Sequence, residues 1–218
     1  MTKRDDICEA ALTLFAENGI EATTTREIAE HAGAAEGTLY RHFDGKADLA
    51  QWLYRRCLNQ LRDTLTDADE ATSTPTDRLE ALVRGVFDFY ASRPASCTYL
   101  LSARESGAVG TSESDAPPSP VHLFASVLDE GTRQGVFRET SSSLVAGWIL
   151  AMVQRTVLFL KTEALSLNTP AATDQTVDAA RRLALPSRPQ RAKATPPRRN
   201  STPDPPPALT HLTAPSHP

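Results

Sequence analysis

The sequence predicts an all-α protein, and three observations lead there. Apolar residues recur at three- and four-residue spacing along most of the chain. No stretch alternates apolar and polar residues for long enough to make a half-buried strand. Glycines, prolines and capping residues cut the chain into helix-length pieces. With 218 residues, 40% of them hydrophobic, the chain can bury the core of one large or two small domains.

The first helix is expected over residues 3–18, with Ile7, Ala11, Leu14 and Phe15 on one face and Gly19 as its stop. Thr24 and Glu27 have capping-box spacing, so a short helix follows to residue 32, burying Ile28 and Ala29. Gly33 breaks the chain, and another short helix is expected over 35–43. Asp44 is positioned to cap a long helix over about 46–66, followed by a polar linker over 68–76. Asp77 is read as the next cap, with Pro94 dividing that helix from one over 95–105. The Gly-, Ser- and Pro-rich segment 107–120 reads as a mobile loop. Helices over 121–134, from the serines at 141–143 to about 165, and over 174–185 complete the series.

The composition then changes. Ten of the 16 prolines fall in the last 33 residues. This segment holds five basic residues against the acid Asp204. It has too few large apolar groups to offset its ordering entropy, so disorder is expected. The predicted organisation is a three-helix head over 1–45, a helical body over 46–185 and a basic, Pro-rich tail over 186–218.

Cys8, Cys57 and Cys97 are odd in number and far apart. They are read as buried small apolar groups rather than a disulfide or zinc framework, which suits a reducing cytoplasm. The N-terminus leads into an amphipathic segment and predicts no signal peptide. The apolar run 144–160 is interrupted by Gln154-Arg155-Thr156. Spanning a bilayer takes about 20 predominantly apolar residues and an arginine there is costly, so a buried interface helix is expected and no membrane partner.

Two short helices joined by a Gly-containing turn have the form of a DNA-reading helix-turn-helix. Gly37 and Thr38 put small groups at the front of its second helix, and Leu39 and Phe43 anchor the inner face. Residues 7–49 resemble the N-terminal signature of the TetR family. The residues that carry the likeness are Ile7, Ala10-Ala11, Leu14-Phe15, Glu17, Gly19, Thr24-Thr25, Ile28-Ala29, Ala32-Gly33, Gly37-Thr38-Leu39-Tyr40, His42-Phe43, Lys46 and Leu49.

The resemblance implies a repressor that grips palindromic double-stranded operator DNA as a homodimer and is released by a small-molecule effector. It implies that Thr25 and Arg26 meet phosphate, with a guanine edge open as an alternative for Arg26. Gly37 and Thr38 would lie at base edges, while Tyr40, His42 and Lys46 hold the backbone; Arg41 belongs to the same expected surface. Each also has a plainer reading, Tyr40 as packing and His42 and Lys46 as solvated surface. Two departures bear on base preference: Ala35 offers no capping side chain, and Glu36 puts an acid at the groove, where it could accept from cytosine. Residues 1–60 hold 7 basic and 10 acidic side chains, so each head is expected to bind modestly and pairing to double the contacts.

The pairing surface is expected on Val121, Phe124, Leu128, Leu144, Trp148, Ala151 and Leu158. An effector pocket is expected among Phe87, Tyr90, Tyr99, Leu100, Met152 and Phe159, with Arg104 or Arg155 as polar contact. A plain hydrophobic core accounts for the same residues. Nucleophile-elbow, zincin, phosphate-loop and dinucleotide signatures are all missing, so neither catalysis nor a cofactor or metal is expected.

Overall fold

The computed structural model describes residues 2–105, 119–164 and 166–186. Among these residues there are nine helices and no strand. The chain divides into the units Met1–Ser187 and Arg188–Pro218. Residues 107–118 of the expected loop and 187–218 of the expected tail lie outside the described residues.

Helix α1 (Lys3–Asn18) starts at a capping box in which the Asp5 amide donates to Thr2 and the Thr2 amide to the Asp5 carboxylate. It stops at Gly19, whose φ of +85° is open to glycine. Helix α2 (Thr25–His31) carries the expected Thr24–Glu27 box. Those hydrogen bonds from Thr24 hold the Glu27 carboxyl below its usual range, so this cap weakens as pH falls through that lowered value. Gly33 turns the chain at φ +57°, and α3 (Glu36–Tyr40) follows with no side-chain cap at Ala35. Ile7, Phe15, Ile28, Leu39 and Phe43 close the core of this head. Arg4 lies 4.3 Å from the Trp52 ring centroid and 5.2 Å from that of Phe43, covering the seam.

Helix α4 (Lys46–Glu70) packs against α1 and against the three helices that follow it. At its start stands Gly45, at φ +150° with no side-chain cap, so Asp44 is not the cap that the sequence suggested. Instead the Asp44 amide donates to the Asp48 carboxylate across the first turn. The Lys46 ammonium reaches back and donates to the carbonyls of Ile20 (2.7 Å), Thr23 (2.8 Å) and Glu21 (3.2 Å). At the far end, Arg78 binds both Asp69 oxygens at 2.8 Å and also Glu130, tying α4 to α5 and α7.

Helix α4 runs to Glu70, shortening the expected linker to residues 71–74. Helix α5 (Pro75–Ser92) is capped by Thr74, with Pro75 at its start. Asp77 is the partner in that cap rather than the cap itself. Proline 94 then separates α5 from α6 (Pro94–Glu105). Tyr99 on α6 is fully buried, stacks on Phe15 at 5.8 Å and donates to the Ala50 carbonyl at 2.7 Å. Burial pushes the thiols up, Cys8 to about 11 and Cys97 to about 12, in keeping with their reading as small apolar groups.

Helices α7 (Pro120–Arg133) and α8 (Ser142–Lys161) pack together, and α9 (Thr169–Ala184) returns over α5 and α8. Helix α9 begins before residue 174 because Asn168 accepts from the Ala171 amide at 3.0 Å and Pro170 suits the first turn. The apolar stripe of α7 turns inward against α5 and α8. Phe124 and Leu128 are therefore core, not pairing surface, and Val121 is half-buried against that core. Helix α8 is long and apolar enough to cross a membrane by length and composition alone. Its Val145, Ile149, Val153 and Val157 nevertheless fill the chain's own core.

Two outcomes test this packing. A Cβ added at Gly131 would lie 2.1–2.9 Å from the Phe137 ring. Gly131→Ala is thus expected to cost about 1–3 kcal/mol, read as a lower urea midpoint; an unchanged midpoint would contradict the contact. Lys46→Met keeps the stem but strips a charged donor from three carbonyls. It is expected to cost about 1.5–3 kcal/mol and to speed amide exchange in residues 20–24.

Candidate nucleic-acid interface

On a helix, residues advance about 100° each, so Glu36, Gly37 and Tyr40 share one flank of α3 while Leu39 points into the head. That flank is open: Glu36 and Gly37 are exposed and Tyr40 is 54% exposed. A Cβ at Gly37 would meet nothing within 4 Å. Thr38 falls on the other side of Leu39 and is only 8% exposed, its hydroxyl accepting from Arg41 at 3.2 Å. The expectation that Thr38 lies at base edges is therefore corrected. The short helix, anchored by Leu39, leaves Glu36 and Gly37 exposed.

Thr25, half-buried at the start of α2, donates to Glu36 at 2.6 Å, and its hydroxyl lies 3.4 Å from the Tyr40 hydroxyl. The hydroxyl, carboxylate and phenol thereby join α2 to α3. Arg26 is well exposed and pairs with Glu30 at 2.9 Å, while Arg41 and His42 are exposed beyond α3. Lys46 stands apart from this set. Its ammonium is spent on three backbone carbonyls, so it positions the α1–α2 turn rather than projecting a free charge. The sequence reading also missed Lys3, whose ammonium reaches the Gly33 carbonyl at 3.4 Å across the turn. No local signal links residues 30 apart.

The residues expected to line an effector pocket divide between core, surface and a cleft, with Leu100 and Arg155 in the cleft. Phe87 and Tyr99 are buried core, because the inner faces of α5 and α6 pack on neighbouring helices. Tyr90 and Met152 are half-buried against that core, and Phe159 is exposed with Arg155 over its ring. The side chain of Arg104 is not among those described. That cleft, of about 630 Å³, lies between the end of α1, α6 and α8, with Phe15, Leu100, Leu101, Val157, Arg155 and Lys161 in its walls. Ala151 and Leu158, expected on the pairing surface, line this cleft as well. Leu144, Trp148 and Phe159 remain as exposed apolar groups on α8, at 49%, 48% and 38%.

Comparison with known proteins bears on what this arrangement is for. Residues 7–52 match the family described as bacterial regulatory proteins, tetR family. The chain is 30% identical over 140 residues to the HTH-type transcriptional repressor KstR2 of Mycobacterium tuberculosis, covering 63% of this chain and 70% of that protein. It is 33% identical over 143 residues to KstR2 of Rhodococcus jostii, covering 62% and 68%.

Among solved structures, a bacterial regulatory protein in the tetR family from Rhodococcus RHA1 superposes with a TM-score of 0.75 at 22% identity, over 86% of this chain and 100% of that one. FadR of Bacillus subtilis, solved with stearoyl-CoA, gives 0.70 at 20%, over 81% and 97%. The structural matches show the shared fold. The longer sequence matches continue past the head into the body, and with the small-faced α3 set on a Gly33 turn they give one answer: the chain belongs to the tetR family of bacterial regulatory proteins.

Proposed function

We propose that the protein is a transcriptional repressor that binds a two-fold symmetric operator as a homodimer and releases it when a small molecule fills the α1–α6–α8 cleft. The observation that carries this reading is the open flank of α3. Gly37 allows close approach to the floor of a major groove, and polar groups stand on both sides. Thr25, Arg26, Tyr40, Arg41 and His42 would meet the phosphate rails, while Lys46 would act by holding the turn behind them.

Leu144, Trp148 and Phe159 form an uncovered apolar stripe on α8, the kind of surface that marks an interface. A second copy covering it about a two-fold axis would space two α3 helices for half-sites about 34–36 Å apart. The cleft has the volume of a small-molecule site. Its apolar walls beside Arg155 and Lys161 suit an apolar body with an anionic group, and the FadR neighbour's stearoyl-CoA is of that kind. Filling it would act by population shift, favouring a body whose heads no longer match the half-site spacing. The repressor would work by binding rather than catalysis, in the cytoplasm.

Footprinting the purified protein on DNA flanking its own gene is expected to show two-fold symmetric protection. Tyr40→Ala is expected to weaken that binding about fivefold to tenfold, the loss of about 1–1.5 kcal/mol for one hydrogen bond, with the fold intact. Trp148→Glu is expected to give monomers in sedimentation and no footprint. Wild-type affinity in both variants would contradict the assignment.

A further inference from the structure

We infer that Glu36 is a base-reading residue of α3 and that it selects cytosine, so that each half-site carries a C·G pair beneath it. The inference rests on the α2–α3 surface being the DNA-reading one.

Placement comes first. Glu36 is the first residue of α3, exposed, and on the same flank as Gly37 and Tyr40. A carboxylate there repels phosphate and would weaken binding if it met only the backbone. Orientation comes second. A long acidic side chain normally samples many rotamers, but Thr25 on the neighbouring helix donates to its Oε1 at 2.6 Å, with the Tyr40 hydroxyl 3.4 Å from that of Thr25. Among the described residues, Oε2 receives no hydrogen bond. One oxygen is therefore fixed by the protein, and the other is left as an acceptor on the groove side.

The nearby cations do not neutralise it by direct contact. Arg26, close enough to feel its charge, is hydrogen-bonded to Glu30 at 2.9 Å. Arg41 donates to Thr38 at 3.2 Å. The Lys46 ammonium is held by the Ile20, Glu21 and Thr23 carbonyls.

An ionised carboxylate only accepts hydrogen bonds. In the major groove, guanine offers two acceptors and thymine an acceptor and a methyl group. Adenine sets its N7 acceptor beside the N6 donor. Cytosine alone offers a donor, N4, without an acceptor of its own there. Glu36 thus matches cytosine and is mismatched, to different degrees, with the other three bases. The same charge lowers affinity for arbitrary DNA, which widens the gap between operator and background.

The test is selection from a random duplex library with the full-length protein, followed by titration of single-base variants of the enriched site. Wild type is expected to enrich a two-fold site with C at one mirrored position and to lose about tenfold in affinity when that base is changed. Glu36→Gln keeps the shape and, with its Oε1 still accepting from Thr25, turns the groove-side acceptor into an NH2 donor; it is expected to switch that position from C to a purine, whose N7 accepts. Glu36→Ala is expected to lose preference there while binding random DNA more tightly. Thr25→Val, which frees the carboxylate, is expected to blur the C preference, and Thr25→Ser to keep it.

If Glu36→Gln and Glu36→Ala select the same base as wild type, Glu36 does not read bases, although the DNA-reading assignment would stand. If wild type enriches no sequence at all, both readings fall together.

Discussion

Helix α4, which runs from the turn after α3 to the linker before α5, is fixed by charge at both ends. At one end a single ammonium, that of Lys46, gathers the carbonyls of Ile20, Glu21 and Thr23 in the turn between α1 and α2. At the other, the Arg78 guanidinium spans Asp69 and Glu130, and its planar fork suits the paired oxygens of Asp69. Between the two, 25 residues of helix cover about 37 Å. Hydrogen bonds to charged groups are worth about 1.5–3 kcal/mol each, a large share of the margin by which a domain is stable. The angle at which α2 and α3 are presented depends on these contacts and on the Phe15–Tyr99 stack that braces α1 against α6.

The head was legible in the sequence because its determinants are local. A threonine three residues before a glutamate makes a cap, glycine permits a left-handed turn, and Leu39 and Phe43 four apart make an inner face. What escaped were side chains whose partners lie far along the chain. The role of Lys46 is set by residues 23–26 positions earlier, and no spacing rule distinguishes it from a phosphate-facing lysine. The burial of Thr38 follows from how a five-residue helix is pinned by its neighbour, Leu39. The cap at Gly45 failed the simple rule because Asp48 satisfied the Asp44 amide from inside the helix.

The body was harder for a different reason. Pattern alone shows that a face is apolar but not what covers it. The stripes of α7 and α8 both read as interface, yet α7 spends its stripe on α5 and α8 of the same chain, leaving only part of α8 uncovered. Likewise, the aromatic residues of α5 and α6 were equally consistent with a pocket or a core, and helix packing made Phe87 and Tyr99 core. The cleft that does form is walled by Phe15 and Asn18 of α1 and by Gly19 just after it. Under the proposed function, a bound effector would therefore touch the reading head without an intermediate.

The central proposal is that DNA is read by α2 and α3 as the body holds them. Hydrogen–deuterium exchange of the full chain, with and without a duplex enriched by the protein itself, measures this most directly. Slowed exchange concentrated in residues 24–46 on adding the duplex is the expected result. Binding that leaves those amides unchanged and protects only helices of the body would contradict it.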